Sequence, residues 1–174
     1  MASKTSKKFA LLPEMVPSPL WDRSAHKMLG NRVVWKKQIR GDALARANNC
    51  CDLCGSNEGR LSCHEKWQYD DNQGVATLVS FEIHCGMCDA ATHPGVSLKV
   101  ANSPEEAFLS IVEHLRKVNR CTAREAAAIL SNSMSQWKKR SAQKWTVRVA
   151  GPLVQQYPDL RGLPDFIPPP ASYK

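Results

Sequence analysis

The sequence predicts an α+β fold, in which a β-hairpin leads into helices. Residues 75–83 are β-branched and apolar, as in a strand, and residues 70–74 form a strong turn signal before them. Apolar residues also suit a first strand over 61–69, which would complete the hairpin. Two helix-start signals, at Ser103 and Thr122, then predict two helices behind the hairpin.

The elements before the hairpin are an arm and one helix. Residues 1–32 carry several prolines and no sustained apolar period, so we expect a basic N-terminal arm. Residues 33–47 have apolar side chains at a helical spacing that only Gly41 interrupts. This helix would lead the chain into the first cysteine pair.

The elements after the hairpin are helical until a proline-rich tail begins. Residues 86–93 suit a short helix, which Pro94 should stop. Residues 104–150 would form a C-terminal helical extension of the domain that begins at 33 and whose core ends at 103. Residues 151–174 contain many prolines, and we expect them to be extended and packed only in places.

Composition limits the class of protein. The 174 residues are 43% hydrophobic and carry a net charge of +8, which suits one compact domain with short arms rather than a disordered chain. No apolar run is long enough to span a bilayer, and no signal-peptide pattern follows the N-terminus, so we expect a cytoplasmic protein without a membrane partner. The net charge is +7 over residues 1–40, −4 over 41–103 and +5 over 104–174.

Four of the seven cysteines form two Cys-x-x-Cys pairs, Cys51 with Cys54 and Cys85 with Cys88. In a reducing compartment such pairs are metal ligands, and four thiolates match a closed structural zinc site. The intervening residues, 55–84, outnumber the roughly 15–20 of a plain zinc ribbon, so the metal would close the two ends of an inserted hairpin.

The remaining cysteines have weaker claims to a metal. Cys50 could replace Cys51 as a ligand, because it also lies within chelating distance of Cys54 in sequence. Cys63 and Cys121 are better interpreted as small buried hydrophobic residues.

A second group of ligand-type side chains lies beside the cysteine pairs. Asp89 and His93 are spaced i, i+4, which places a carboxylate and an imidazole on one helix face where both could hold a divalent cation. His64 and Glu65 lie on the expected first strand. The other histidines, His26, His84 and His114, are interpreted as structural.

These motifs together resemble a known family. The segments Cys51-x-x-Cys54-Gly, Cys63-His-Glu-Lys-Trp-Gln-Tyr-Asp-Asp71 and Cys85-x-x-Cys88-Asp-Ala-Ala-Thr-His-Pro-Gly95 are similar to the HNH nucleases, also called His-Me finger or ββα-metal nucleases. The similarity is greatest to a branch with His-Glu-x-Trp-x-Tyr-Asp on the first strand. It extends from about residue 44 to 146, so the ends of the chain lie outside it.

The resemblance implies a zinc-stapled ββα-metal core and metal-dependent hydrolysis of phosphodiester bonds in DNA. His64 would be the general base, and Asp89 and His93 would hold a catalytic Mg²⁺ or Mn²⁺. Glu65 could be a further ligand or could orient His64, although strand alternation places the two on opposite faces unless the strand is bulged. The chain departs from the family in having Asp89 where many members have histidine, and Ser80 near the place of the middle asparagine.

The basic flanks would supply contacts to the phosphates of a nucleic acid. The candidates are Lys4, Lys7, Lys8, Lys36, Lys37, Arg40, Lys138, Lys139, Arg140, Lys144 and Arg148. RNA stays an alternative target to DNA, and cutting both strands would favour a homodimer or sequential nicks.

The chief rival hypothesis is a catalytically decayed zinc module that binds DNA or a protein. A purely structural zinc protein in a larger assembly is a third.

Overall fold

Two long antiparallel strands, β1 (Leu61–Asp70) and β2 (Val75–Cys85), form the predicted hairpin. The computed structural model describes residues 9–30 and 33–162. Within those ranges a short third strand, β3 (Thr146–Val149), pairs in parallel with β2, so that the sheet order is β1-β2-β3. The α+β class predicted from the sequence is confirmed, whereas β3 was not predicted.

Helices precede and follow the hairpin in the sequence. The chain forms α1 (Ala25–Leu29), a π-helical segment (Val34–Ile39) that continues into α2 (Arg40–Arg46), α3 (Gly86–Thr92), α4 (Pro94–Val100), α5 (Pro104–Asn119), α6 (Ala123–Ser141) and α7 (Gly151–Gln156), with single 3-10 turns at Ser18–Leu20 and Pro158–Gly162. No helix in the described ranges is both long and apolar enough to cross a membrane.

The predicted helix starts are confirmed by their hydrogen bonds. Ser103 Oγ accepts the backbone N–H of Glu106 at 3.4 Å, which caps α5. Thr122 and Glu125 form the complete capping box of α6, since each side chain accepts the other residue's backbone N–H. Pro94 ends α3 as expected, but it also occupies the first position of α4, where its missing N–H costs nothing.

The hairpin contains a register shift between Lys66 and Trp67. Lys66 pairs with Ser80 and Trp67 with Leu78, so Val79 of β2 has no partner of its own on β1. Because β2 contains one extra residue there, the bulge changes which side chains of β2 share a face of the sheet with those of β1. His64 therefore lies opposite Glu82.

Two larger apolar cores and a small cluster of Leu20, Ala76 and Val147 hold the described elements together. One joins β2 to the helix before the cysteines and to the C-terminal segment, and it contains Ile39, Ile83, Val149 and Leu160. The other surrounds the cysteine pairs and packs α3 against α5 and α6, with Ile111 and Leu115 at its centre.

The N-terminal segment, expected to be a basic arm over residues 1–32, differs from that expectation where it is described, because residues 9–30 pack against the domain. Leu11 is fully buried in the core around the cysteines. Its backbone N–H donates to Asn119 Oδ1 at 2.8 Å, and its carbonyl accepts from Asn119 Nδ2 at 2.7 Å. The backbone N–H of Glu14 then donates to the carbonyl of Thr92 at 2.8 Å. We call residues 11–16 the strap.

The C-terminal segment was also predicted wrongly where it is described. Residues 151–162 are helical rather than extended, and Leu153, Val154, Tyr157 and Leu160 are buried in the core beside β2. Apolar packing therefore orders this segment despite its prolines. The rest of the predicted tail lies outside the described residues.

Asn119 should be essential to the placement of the strap. Asn119→Ala removes both hydrogen bonds and leaves the backbone of Leu11 unpaired in a buried position, so we expect the free energy of unfolding to fall by about 2–4 kcal/mol. Urea unfolding measures this. Asn132→Ala, at an exposed site on α6, is the matched control and should change it by less than about 0.5 kcal/mol. Equal effects would refute a role for Asn119 in holding the strap.

Candidate functional site

Four cysteine Sγ atoms lie close enough together to hold a metal ion such as zinc. The thiols of Cys51, Cys54, Cys85 and Cys88 are all within 4.8 Å of one another, as the two Cys-x-x-Cys pairs predicted. The first pair lies in the loop before β1, and the second spans the end of β2 and the start of α3. This donor set suits a tetrahedral structural site without an open position.

The first pair sits in a tight turn that presents its sulfurs. The N–H of Cys51 donates to the carbonyl of Ser56 at 2.7 Å, and that of Gly55 donates to the carbonyl of Cys51 at 2.9 Å. Burial raises the pKa of the Cys51 thiol, but the backbone N–H groups of Cys85, Cys54 and Leu53 more than offset this and lower it overall. These groups therefore favour the thiolate of Cys51, the form that binds metal, whereas burial raises the pKa of Cys54.

The structure decides between Cys50 and Cys51 as the metal ligand. The thiol of Cys50 lies 3.4 Å from the carbonyl of Asn48 and is not part of the four-cysteine group. Burial raises the pKa of Cys63 to about 12, which agrees with its interpretation as a small hydrophobic residue.

Neighbouring side chains fix the cysteine turn to the sheet and helices. Asp52 forms a two-point ion pair with Arg46, with distances of 2.7 and 2.8 Å, and accepts the backbone N–H of Ile83 in β2 at 2.6 Å. His114 of α5 places Nε2 3.1 Å from the Sγ of Cys88. The interpretation of His114 as structural fits this contact.

A second cluster lies where the hairpin meets α3, and it contains three histidines and one aspartate. Side-chain donor atoms of His64, His84 and Asp89 are within 4.8 Å of one another. His64 Nδ1 also lies 3.1 Å from His93 Nε2. We call these four residues the histidine cluster.

Three elements deliver these side chains. His64 is on β1, His84 on β2, and Asp89 on α3, while His93 ends that helix and donates its backbone N–H to the carbonyl of Asp89. The rings of His64 and His84 stack with centroids 4.4 Å apart. The predicted trio of His64, Asp89 and His93 is therefore brought together, and His84 joins it.

The buried Nδ1 of His84 has no hydrogen-bond partner among the described residues, and Nε2 of His64 faces only the carboxylate of Glu14, 3.5 Å away. A buried nitrogen left unpaired is costly unless a ligand satisfies it. Burial lowers the pKa of His93, and the neighbouring His64 lowers it further, so its imidazole favours the neutral form. A neutral imidazole beside a carboxylate offers a fitting pair of donors to a divalent transition metal.

Glu14 of the strap completes the surroundings of His64, and no motif in the sequence pointed to it. Its Oε2 lies 3.5 Å from His64 Nε2 and 3.4 Å from Lys66 Nζ. Its Oε1 accepts the backbone N–H of Trp67 at 2.9 Å, next to the bulge. The carboxylate is therefore held in place on the edge of the histidine cluster.

Glu65 is not part of the cluster, so its predicted role as a further metal ligand is not supported. One of its carboxylate oxygens accepts the backbone N–H of His26 at the start of α1. Burial raises the pKa of this carboxyl group. The β1 strand carries no bulge of its own at this point, so its normal alternation turns Glu65 away from His64.

Some of the predicted phosphate contacts bind other groups of the protein, and others are exposed. Arg40 donates to the carbonyl of Leu61 at 3.0 Å, and Arg140 forms a two-point ion pair with Asp71, so both hold the fold together. Lys36, Lys37, Lys138, Lys139 and Lys144 are exposed, whereas Arg148 is partly buried with an unpartnered Nε. Lys4, Lys7 and Lys8 lie outside the described residues.

Comparison of the chain with known protein families, curated proteins and solved structures gave no significant match. The geometry of the two clusters is therefore the basis for assigning a function.

Proposed function

We propose that this protein is a metal-dependent endonuclease of the HNH type that hydrolyses phosphodiester bonds in DNA. The observation that carries the proposal is that His64 lies close to both Asp89 and His93, beside a cysteine cluster able to hold zinc. A base, a set of metal ligands and a rigid support for both are the parts that metal-assisted phosphodiester hydrolysis needs.

Asp89 and His93 are the proposed ligands of the catalytic ion, and the buried Nδ1 of His84 is a third donor within reach. A divalent ion at this position would bind a phosphate oxygen and offset the charge that develops on the leaving oxygen. Imidazole ligands favour Mn²⁺, Co²⁺ or Ni²⁺ over Mg²⁺, which prefers oxygen. Of the two ions expected from the sequence, Mg²⁺ and Mn²⁺, this set of ligands favours Mn²⁺.

His64 is the proposed general base, and Glu14 is its positioning residue. Glu14 Oε2 faces Nε2 of His64, which favours a proton on that nitrogen. Nδ1 then carries the lone pair, and it accepts from Nε2 of His93 at 3.1 Å, so an attacking water would take the place of that contact when Nδ1 acts as the base. Glu14 supplies the orientation that the missing asparagine of the family pattern leaves open.

The four-cysteine site serves this centre as a support. Cys85 and Cys88 flank the start of α3, the helix that carries Asp89 and ends at His93. Zinc bound there would fix this helix against the hairpin that carries His64. The exposed lysines of α6 and of the segment before α2 are the proposed contacts to DNA phosphates.

A nicking assay tests this function. We expect the purified zinc-loaded protein to convert supercoiled plasmid to open circles when Mn²⁺, Co²⁺ or Ni²⁺ is added, more slowly with Mg²⁺, and not at all when the added ion is omitted. A structured RNA assayed in parallel establishes whether the target is DNA. Binding of DNA without cleavage under all four ions would refute the nuclease and favour the decayed zinc module.

A further inference from the structure

A groove opens beside the histidine cluster, between the strap, β1 and α6. Its volume is about 270 Å³, near the lower end of small-molecule sites and suited to a single planar group. Glu14 and Lys66 form the wall nearest to His64, and the far wall comes from Gln136 and Trp137 of α6.

The groove lies next to the proposed catalytic centre along β1, since Lys66 and Gln68 line it. His64, Lys66 and Gln68 are every second residue of β1, so they lie on one face of the strand. Each step of two residues covers about 7 Å. Lys66 lies between the proposed base and the groove, and it is 40% exposed. A phosphate bound through an ion on Asp89 and His93 would therefore place the neighbouring nucleotide of the strand near the groove.

The hydrogen-bonding groups that face this groove are neutral amides rather than free cations. Gln68 and Gln136 are both exposed, and neither side-chain amide has a hydrogen bond to another described residue. The guanidinium of Arg140 is neutralised by Asp71 and covers the ring of Tyr69 at 4.3 Å. Lys66 is paired with Glu14, whose Oε2 lies 3.4 Å from its Nζ, so the groove offers no unpaired positive charge to a phosphate.

An aromatic side chain gives the groove a rigid wall. The indole N–H of Trp137 donates to the carbonyl of Val16 at 3.1 Å, which fixes the ring against the strap. Aromatic rings beside amide groups are the combination with which proteins bind unpaired bases, through stacking and through hydrogen bonds to the base edges.

We propose that this groove binds the base of an unpaired nucleotide next to the cleaved bond, with the amides of Gln68 and Gln136 contacting its edge. The inference rests on the proposed function, because it is the histidine cluster that would place a nucleic-acid strand here. It implies that the enzyme favours single-stranded or distorted DNA over a regular duplex, in which bases stay stacked.

Binding of a short single-stranded oligonucleotide to the full-length zinc-loaded protein, without added Mn²⁺, tests this inference. Tryptophan fluorescence can report it, since Trp67 and Trp137 line the groove. We expect the Gln68→Ala/Gln136→Ala double variant to bind about tenfold more weakly than wild type. Gln155→Ala, at an exposed position on α7, is the matched control and should bind like wild type.

A second oligonucleotide, with abasic sites and the same phosphates, identifies the group that is bound. Wild type should bind this oligonucleotide more weakly than the intact one. The double variant should bind it with the same affinity as wild type. The inference would be overturned if wild type and the double variant bound the intact oligonucleotide equally well. It would also be overturned if the double variant bound both oligonucleotides more weakly than wild type by the same factor. Because no catalytic ion is present, these results are independent of whether the protein nicks plasmid.

Discussion

Replacing Cys88 with serine is expected to remove the bound metal and to destabilise the whole region around α3. Cys88 is fully buried, and its sulfur joins ligands from the loop before β1 to those at the end of β2. Structural zinc contributes roughly 10–16 kcal/mol of apparent binding free energy in small zinc domains, which is comparable to the entire stability of a typical domain. We therefore expect the free energy of unfolding to fall by about 5 kcal/mol or more.

Metal content and thermal unfolding measure this effect together. The wild-type protein should contain one zinc per chain, and Cys88→Ser should contain none and melt at a much lower temperature. Cys50→Ser is a demanding control, because Cys50 is adjacent to Cys51 in sequence but lies outside the cluster. It should keep its zinc and its melting temperature. Loss of zinc in both variants would contradict the ligand set, and a wild type without metal would contradict the site.

Local signals in the sequence were sufficient to predict the hairpin and the starts of the long helices. The turn at 70–74, the cap at Ser103 and the capping box at Thr122 each act over a few residues, and their hydrogen bonds do not depend on the rest of the fold. The spacing of the cysteine pairs has the same local character, since two residues between ligands fix their approach to one metal.

The two ends of the domain could not be predicted in this way. The strap is held by Asn119, which is 108 residues away in sequence from Leu11. The helical turns after residue 150 are fixed by burial of Tyr157 and Leu160 against β2, although prolines there suggested an extended tail. Both depend on tertiary contacts, for which composition and periodicity carry no signal.

The contribution of His84 to the histidine cluster depends on the bulge in the hairpin. The turn pairs Asp70 with Val75, and continuous pairing from there would place His64 opposite Phe81. His84 would then lie on the other face of the sheet. The extra residue in β2 shifts the register by one, so His64 pairs with Glu82 and His84 shares its face. No turn or propensity signal at Val79 announces this shift.

The second large effect concerns catalysis, and it should appear when His64 is replaced with alanine. General-base catalysis contributes roughly 10²–10⁴-fold to rate, so we expect His64→Ala to lower Mn²⁺-dependent nicking by a factor in that range. His64 is not one of the proposed zinc ligands or phosphate contacts, so zinc content and DNA affinity should stay close to those of wild type. His26→Ala, which changes an exposed histidine of α1, is the control and should nick at the wild-type rate.

Replacing Glu14 with glutamine tests whether Glu14 orients His64 as the base or only packs in the cluster. Glu14→Gln keeps the shape of the side chain and its contact with the N–H of Trp67, but it removes the charge beside His64 Nε2. If Glu14 orients the base, this variant should nick about tenfold more slowly with unchanged zinc content and DNA affinity, while the doubly changed protein should be no slower than His64→Ala alone. Additive losses in the double variant would show that Glu14 acts independently of His64. Wild-type nicking by His64→Ala would exclude His64 as the base altogether.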